Sequence, residues 1–237
     1  MVEDSSESKE LQEVPASEIL DKIEKGEPVE YDHAIIEGDL DISKLNLPLV
    51  IRKEQSNDKA LKLPKTIRVI KSPILIRNSV INGAVIFDAN FQNQVNFGGT
   101  EFSRYIDFKG SQFNKDAIFQ KVQIEGDAAF FGVSFYGKSL FNDAKFGSRA
   151  YFIKATFTKS AEFGGYGTIN AATFRYNANF KGATFNDNAY FAMVQFNMLA
   201  YFDEGVYFKK DANFRSAQFG MESYFNGAKF KGRSFFG

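Results

Sequence analysis

The chain contains a single histidine, His33, which stands beside Asp32 with no serine motif near it and no cysteine anywhere in the sequence. A nucleophile–base relay therefore cannot be assembled around it. Asp32 and Asp39 are neighbouring carboxylates, yet their spacing gives no reason for them to work as an acid and a base. Gly98–Gly99 and Gly164–Gly165 are glycine pairs of the kind that cradle phosphate. A phosphate loop also needs a lysine and a following helix, and neither is present. These glycines are instead expected at corners, where φ is positive. No cluster of His, Asp and Glu has the spacing of metal ligands, and the lack of cysteine removes disulfides and thiolate sites. The expectation is a chain with no catalytic, cofactor-binding or metal-binding residues, and so not an enzyme.

Charge narrows the partners. Lys plus Arg and Asp plus Glu number 29 each over 237 residues. Residues 1–66 carry 16 acids against 9 bases, a net of −7, and residues 67–237 carry 13 against 20, a net of +7. Lys209, Lys210, Arg215, Lys229, Lys231 and Arg233 form a modest basic group, which reads as a solvated face, so nucleic-acid binding is not expected. The opening MVEDSSESKELQEVP is polar and acidic, unlike a secretory signal, and reads as a disordered tail over residues 1–15. No run of about 18 apolar residues occurs, so no membrane span is expected. The absence of cysteine fits a reducing compartment, and a cytoplasmic location is expected.

The elements that position everything else are set by phenylalanine. All 28 Phe lie between Phe87 and Phe236, and there is no Trp. From Phe91 the apolar centres run 91, 97, 102, 108, 113, 119 and onward, with gaps of 6 and 5 in alternation, to Phe230 and Phe236. Ile124 and Ile169 are the two centres that are not Phe. Two residues before most centres stands a small residue: Ala117, Ala128, Ser139, Ala144, Ala150, Ala155, Ala161. A helix needs spacings of 3 and 4, and a half-buried strand needs 2. A period near 5, with one large and one small inward residue, means a chain that turns a corner after each unit. Four sides close a coil of about 22 residues, and coils stack about 4.8 Å apart. The inward core then includes Phe91, Phe97, Phe102, Phe108, Phe113, Phe119, Phe146, Phe157, Phe185, Phe196, Phe219 and Phe230. Where 6-residue gaps adjoin, two at 157–169 and three at 196–214, one-residue bulges are expected.

Units such as Ala144–Lys145–Phe146–Gly147–Ser148, Ala155–Thr156–Phe157–Thr158–Lys159 and Ala183–Thr184–Phe185–Asn186–Asp187 resemble the pentapeptide-repeat family, whose pattern is small, polar, Leu or Phe, polar, polar. The resemblance covers about two-thirds of the chain and implies an all-β fold, a right-handed quadrilateral parallel β-helix. The stretch GEPVEYDHAIIEGDLDISKLNLP resembles the opening segment of some archaeal members. Some members of the family imitate duplex DNA and bind type II topoisomerases such as gyrase. That mode needs an acidic rod, which the +7 of residues 67–237 does not supply. Others pair end to end. The resemblance thus favours a non-enzymatic protein-interaction rod with an unknown protein partner, the DNA mimic being the alternative.

The ends complete the outline. Residues 16–30 read as a short helical N-terminal cap in which Ser17 caps the helix, Ile19, Leu20 and Ile23 share one side, and Gly26 stops it near Lys25. The β-helix is expected over 31–237, opening with an aliphatic coil on Ile35, Leu40 and Leu45 and resuming through Ile70, Ile76, Ile81 and Ile86. Residues 48–66, bounded by Pro48 and Pro64, read as an inserted loop. At the other end no lid follows Phe235–Phe236–Gly237, and the expectation is either a chain cut from a longer one or a last coil that meets another copy in an end-to-end homodimer. Outward aromatic or apolar residues at Phe131, Tyr151, Ile153, Tyr190, Tyr201 and Tyr224 are candidates for a partner site. Tyr201, Tyr224, Phe131, Ile153 and Phe235 are the primary set, with Tyr201 and Tyr224 on one side and Phe131 and Ile153 on another.

Overall fold

The computed structural model describes residues 11–52 and 61–237. On two of the four sides the inward Phe ends a short strand, as Phe102 and Phe113 do, and on the other two it follows the strand, as Phe97 and Phe108 do; strands of successive coils pair in parallel. Phe113 lies in register with Phe91 and Phe135, and Phe135 with Phe157. Four sheets of nine, nine, nine and eight strands result, so the chain is a four-sided parallel β-solenoid. Face I contains Phe91, Phe113 and Phe135; face II Phe97, Phe119 and Phe141; face III Phe102, Ile124 and Phe146; face IV Phe108, Phe130 and Phe152. The chain visits them in that order, which sets face I opposite face III and face II opposite face IV.

The alternation of 5 and 6 is a property of the corners. Five-residue steps, from II to III and from IV to I, turn tightly. Thr100 N–H donates to Phe97 O at 2.9 Å, and Ser111 N–H to Phe108 O at 2.9 Å. The third residue of such a turn has positive φ, as at Gly99 and Gly110, both +73°. The same corner takes Lys121 (+59°), Asp143 (+58°) and Met193 (+63°), side chains that adopt this conformation at a cost. Six-residue steps turn more widely and are tied by carboxylates of the preceding coil. Asp116 accepts from Lys138 N–H at 2.9 Å, and Asp211 from Arg233 N–H at 3.0 Å.

Inside, rings of one face stack in parallel along the axis, and rings of faces II and IV meet edge-on across the core. Phe157 lies 4.7 Å from Phe185 at 2°, whereas Phe152 meets Phe163 at 5.3 Å and 88°. Both arrangements suit the ring quadrupole. The N-terminal end is covered by the helix Ala16–Lys25, whose Ala16, Ile19 and Ile23 join the core. Gly26 ends it at φ +74°, with Gly26 N–H donating to Ile23 O and Glu27 N–H to Lys22 O. Tyr31 O–H donates to Glu18 at 2.5 Å and accepts from Lys22 Nζ at 2.6 Å, so the helix is pinned to the first coil. These hydrogen bonds lower the Glu18 pKa, the one from Tyr31 foremost.

Several expectations are corrected. Ser17 does not cap the helix: Pro15 stands at that position and no side chain caps it. Gln12–Pro15, assigned to the tail, is a strand paired with Ala34–Glu37, because Val14 has a core position to fill. Residues 1–10 of the expected tail lie outside the described residues. In the aliphatic coil Ile36, not Ile35, points inward, and Ile86 yields to Val85 and Phe87 on either side. Leu45 is half-buried, with Ile42 and Leu47 taking the interior. Strand Leu49–Ile51 lies antiparallel to Thr66–Ile70, so the ends of the 48–66 insert form a hairpin stem, and 53–60 lie outside the described residues. The two runs of 6-residue gaps differ from each other. At 202–208 one extra residue is absorbed at Glu204–Gly205, both with positive φ. At 163–174, Ile169 is not a centre. It pairs with Tyr166 in a loop closed at its base by Ala172 N–H donating to Phe163 O at 2.7 Å.

Candidate interaction surface

Outward positions on face IV flank each inward ring, one residue before and one after. Those positions place Ala129 and Phe131, then Tyr151 and Ile153, Asn179 and Lys181, Tyr201 and Asp203, and finally Tyr224 on successive coils. Tyr201 and Tyr224 are register partners whose rings stack at 5.1 Å and 7°. Phe131 stacks on Tyr151 at 4.9 Å and 22°. Phe131 and Ile153 therefore share the tyrosines' side, not another one. Counting Ile169 as a centre had advanced every later residue by one face.

Lys181 stands between the two aromatic pairs. Its Nζ lies 5.0 Å from the Tyr201 ring centroid, 2.9 Å from Glu204 and 3.5 Å from Asp203. The hydrogen bond to Glu204 raises the Lys181 pKa. Tyr224 O–H donates to Glu222, which raises the tyrosine pKa. At the lower end of the face, Tyr105, Ile106, Gly126 and Ala129 line an open pocket of about 460 Å³ with Asp107 and Asp127 at its rim. Ala129 is small where the next coil carries Tyr151, and Gly126 lets the backbone approach that of Tyr105 closely. Burial raises the Asp127 pKa, and hydrogen bonds from Ser148 and Arg149 outweigh it, so the carboxylate titrates below its usual range.

Beside the face, the insert lies along the tight IV-to-I corner. Arg52 donates to Gly110 O and, at 2.8 Å, to Asp88. A Cβ on Gly132 would stand 2.6 Å from Leu61, and one on Gly110 would stand 2.9 Å from Leu63. These two glycines are seats for the insert as well as turn residues. Phe235 sits apart, on face II, with the guanidinium carbon of Arg215 4.3 Å and that of Arg233 5.5 Å from its ring centroid. Arg233 is also held 2.6 Å from Asp211, which raises its pKa and lowers that of the aspartate. Two arginines of the basic group thus already have partners. His33 is at a corner with φ +58°, its Nδ1 2.8 Å from Asp32.

The comparison that bears on identity is with a repeat family. A family model described as "Pentapeptide repeats (9 copies)" matches residues 86–134. The segment 86–134 is thus similar to pentapeptide repeats, and it lies within a four-sided parallel β-solenoid. The four-sided stacking seen in that segment continues through Phe236, so the repeat extends structurally well beyond the matched residues. No curated protein and no solved structure matches the chain. Among the described residues of the solenoid, no group of three or more His, Cys, Asp or Glu is placed to hold a metal ion. No helix among them is long and apolar enough to cross a membrane. Sequence reasoning missed Tyr105, Leu61 and Leu63. Only the unusual glycines at 126, 110 and 132 mark them, and those residues show their meaning once the coils are stacked.

Proposed function

We propose that this solenoid is a non-enzymatic interaction rod that binds a partner protein with face IV. The carrying observation is the stacked Tyr201–Tyr224 pair on the outer surface, continued lower down the same face by Tyr151 and Phe131. Rigid aromatic rings on a sheet provide contact area with little entropy left to lose, and such residues are enriched where proteins bind tightly. Lys181 and the acids around it provide a polar edge. The absence of cysteine supports a reducing compartment such as the cytoplasm. The net +7 of residues 67–237 weighs against the topoisomerase-binding DNA mimic.

The test replaces Tyr201 and Tyr224 together by Ser and compares partner retention with that of the unchanged chain. Circular dichroism should be unaltered, because both rings lie outside the core, and retention should fall at least tenfold. Undiminished retention by the folded double variant would refute the face IV reading.

A further inference from the structure

The loop between Phe163 and Ala172 is the largest departure from the repeat among the described residues. An ordinary tight corner closes three residues after its ring, as Ala144 N–H does on Phe141 O at 3.1 Å. Here the same bond spans Phe163 to Ala172, so six extra residues leave the coil and return. The loop is well held. Gly164 N–H donates to Tyr190 O at 2.8 Å, Gly165 N–H to Ala192 O at 2.9 Å, and Asp143 N–H to Asn170 O at 2.9 Å. Asn142, buried, donates to Gly164 O at 2.6 Å. Gly164 and Gly165 do not serve as positive-φ corners here. A Cβ on Gly164 would stand 2.7 Å from Ala192 N, and one on Gly165 2.6 Å from Ile169 O.

Over face II this loop raises a wall. Beneath it lies a pocket of about 350 Å³ on face II, lined by Asn142, Glu162, Tyr166, Tyr190, Ala192 and Asn213 among others. That size suits a small ligand. Glu162 and Tyr190 are register partners, and Tyr190 pairs in turn with Asn213. Tyr166, at the loop's turn, is 62% exposed and Tyr190 is 38% exposed. The amides are occupied: Asn142 Oδ1 accepts from Gln120, and Asn213 Oδ1 accepts from Arg215 N–H at 3.1 Å. Glu162 accepts one hydrogen bond, from Ser160 at 3.1 Å, and is the only ionisable carboxylate in the lining. No lysine or arginine lines the pocket.

We propose that this pocket binds a small organic cation with a methylated ammonium head, held between the Tyr166 and Tyr190 rings and neutralised by Glu162. Aromatic faces attract such a cation through their quadrupole, and a carboxylate without a cationic partner in the lining supplies the opposite charge. Anions are disfavoured by that carboxylate. A neutral apolar ligand would leave it desolvated and unpaired. The site lies opposite face IV, so it stands or falls independently of the partner surface.

The experiment titrates the full chain with choline, and separately with its neutral isostere carrying a tert-butyl group in place of the trimethylammonium, read by tyrosine NMR shifts. Choline should bind saturably, with a dissociation constant on the order of millimolar, and the isostere should not. Glu162→Gln should weaken choline roughly tenfold, as should Tyr166→Ala, while Tyr201→Ser with Tyr224→Ser leaves it unchanged. Both single variants should keep the wild-type circular dichroism, since neither residue is in the core. No saturable choline binding would overturn the proposal. So would equal binding of the isostere, or full affinity in a folded Glu162→Gln variant.

Discussion

Replacing Phe152 by Ala should be far more damaging than replacing Phe236, although both rings belong to the same repeat. Phe152 is fully buried, with Phe130 at 4.8 Å and Phe180 at 4.9 Å stacked on its two faces. Phe141 and Phe163 meet it edge-on at 5.4 and 5.3 Å. Truncating a ring so enclosed costs about 3–5 kcal/mol, because a cavity adds to the lost transfer energy. The ladders of the coils above and below hold the cavity open. Phe236 stacks on one ring, Phe214 at 5.1 Å, and meets Phe225 and Phe230 edge-on at 5.7 and 6.1 Å, and about half of it is exposed. Its removal leaves no closed cavity and should cost about 1–2 kcal/mol. Denaturant unfolding followed by far-ultraviolet circular dichroism measures both. In a solenoid each coil contacts only its neighbours, so the Phe152→Ala transition should also broaden as the two halves uncouple. Equal midpoint shifts for the two variants would show that stability is not distributed by ring stacking, and the reasoning would fail.

Two further expectations concern corners. Met193 holds φ +63° with its side chain more than half exposed, so Met193→Gly should stabilise the rod by about 0.5–1 kcal/mol, the strain relieved exceeding glycine's entropic cost. A lower melting temperature would contradict this. The folded-state pKa of Asp127 is depressed, so its contribution is present above the ordinary carboxylate pKa and is lost as pH falls through the lower folded value. Melting temperature should therefore drop as pH is taken below about 4, and Asp127→Asn should lower it at neutral pH while flattening that acid limb. An unchanged acid limb would assign it to other carboxylates.

The rod was legible in the sequence because phenylalanine declares its orientation. A ring of that size at a period near 5 has only the interior to occupy, so Phe91 to Phe163 could be placed without a structure. The aliphatic coils were less clear. Ile35 and Ile36 are chemically alike and adjacent, as are Val85 and Ile86, and in a strand adjacent residues face opposite ways. Composition cannot choose between them, and the register follows only from pairing. The case of Ile169 is different. Its loop adds six residues, which is the length of a wide step, so the only trace in the spacing is a second 6-residue gap after 157–163. The signal of the departure is the sequence Gly164–Gly165–Tyr166–Gly167, which has too many glycines for one corner.

The six extra residues bear on function because they shift the face count and carry the wall of the pocket. Once the six residues are removed from the count, Phe131, Tyr151, Ile153, Tyr201 and Tyr224 fall on one side, and Phe235 falls on the opposite one. A strictly periodic solenoid presents the same shape on every coil, so shape alone can distinguish no partner. Specificity must come from side chains on a flat face or from places where the period breaks. This chain has both. Its aromatic stripe lies on face IV, bordered by the insert that seats Leu61 and Leu63 on Gly132 and Gly110. Its one raised wall, the loop carrying Tyr166, stands over face II beside the carboxylate of Glu162. Departures from the repeat cost stability without adding core. The two largest among the described residues each lie beside one of the two surfaces argued to bind, and the glycines beneath them leave room for nothing else.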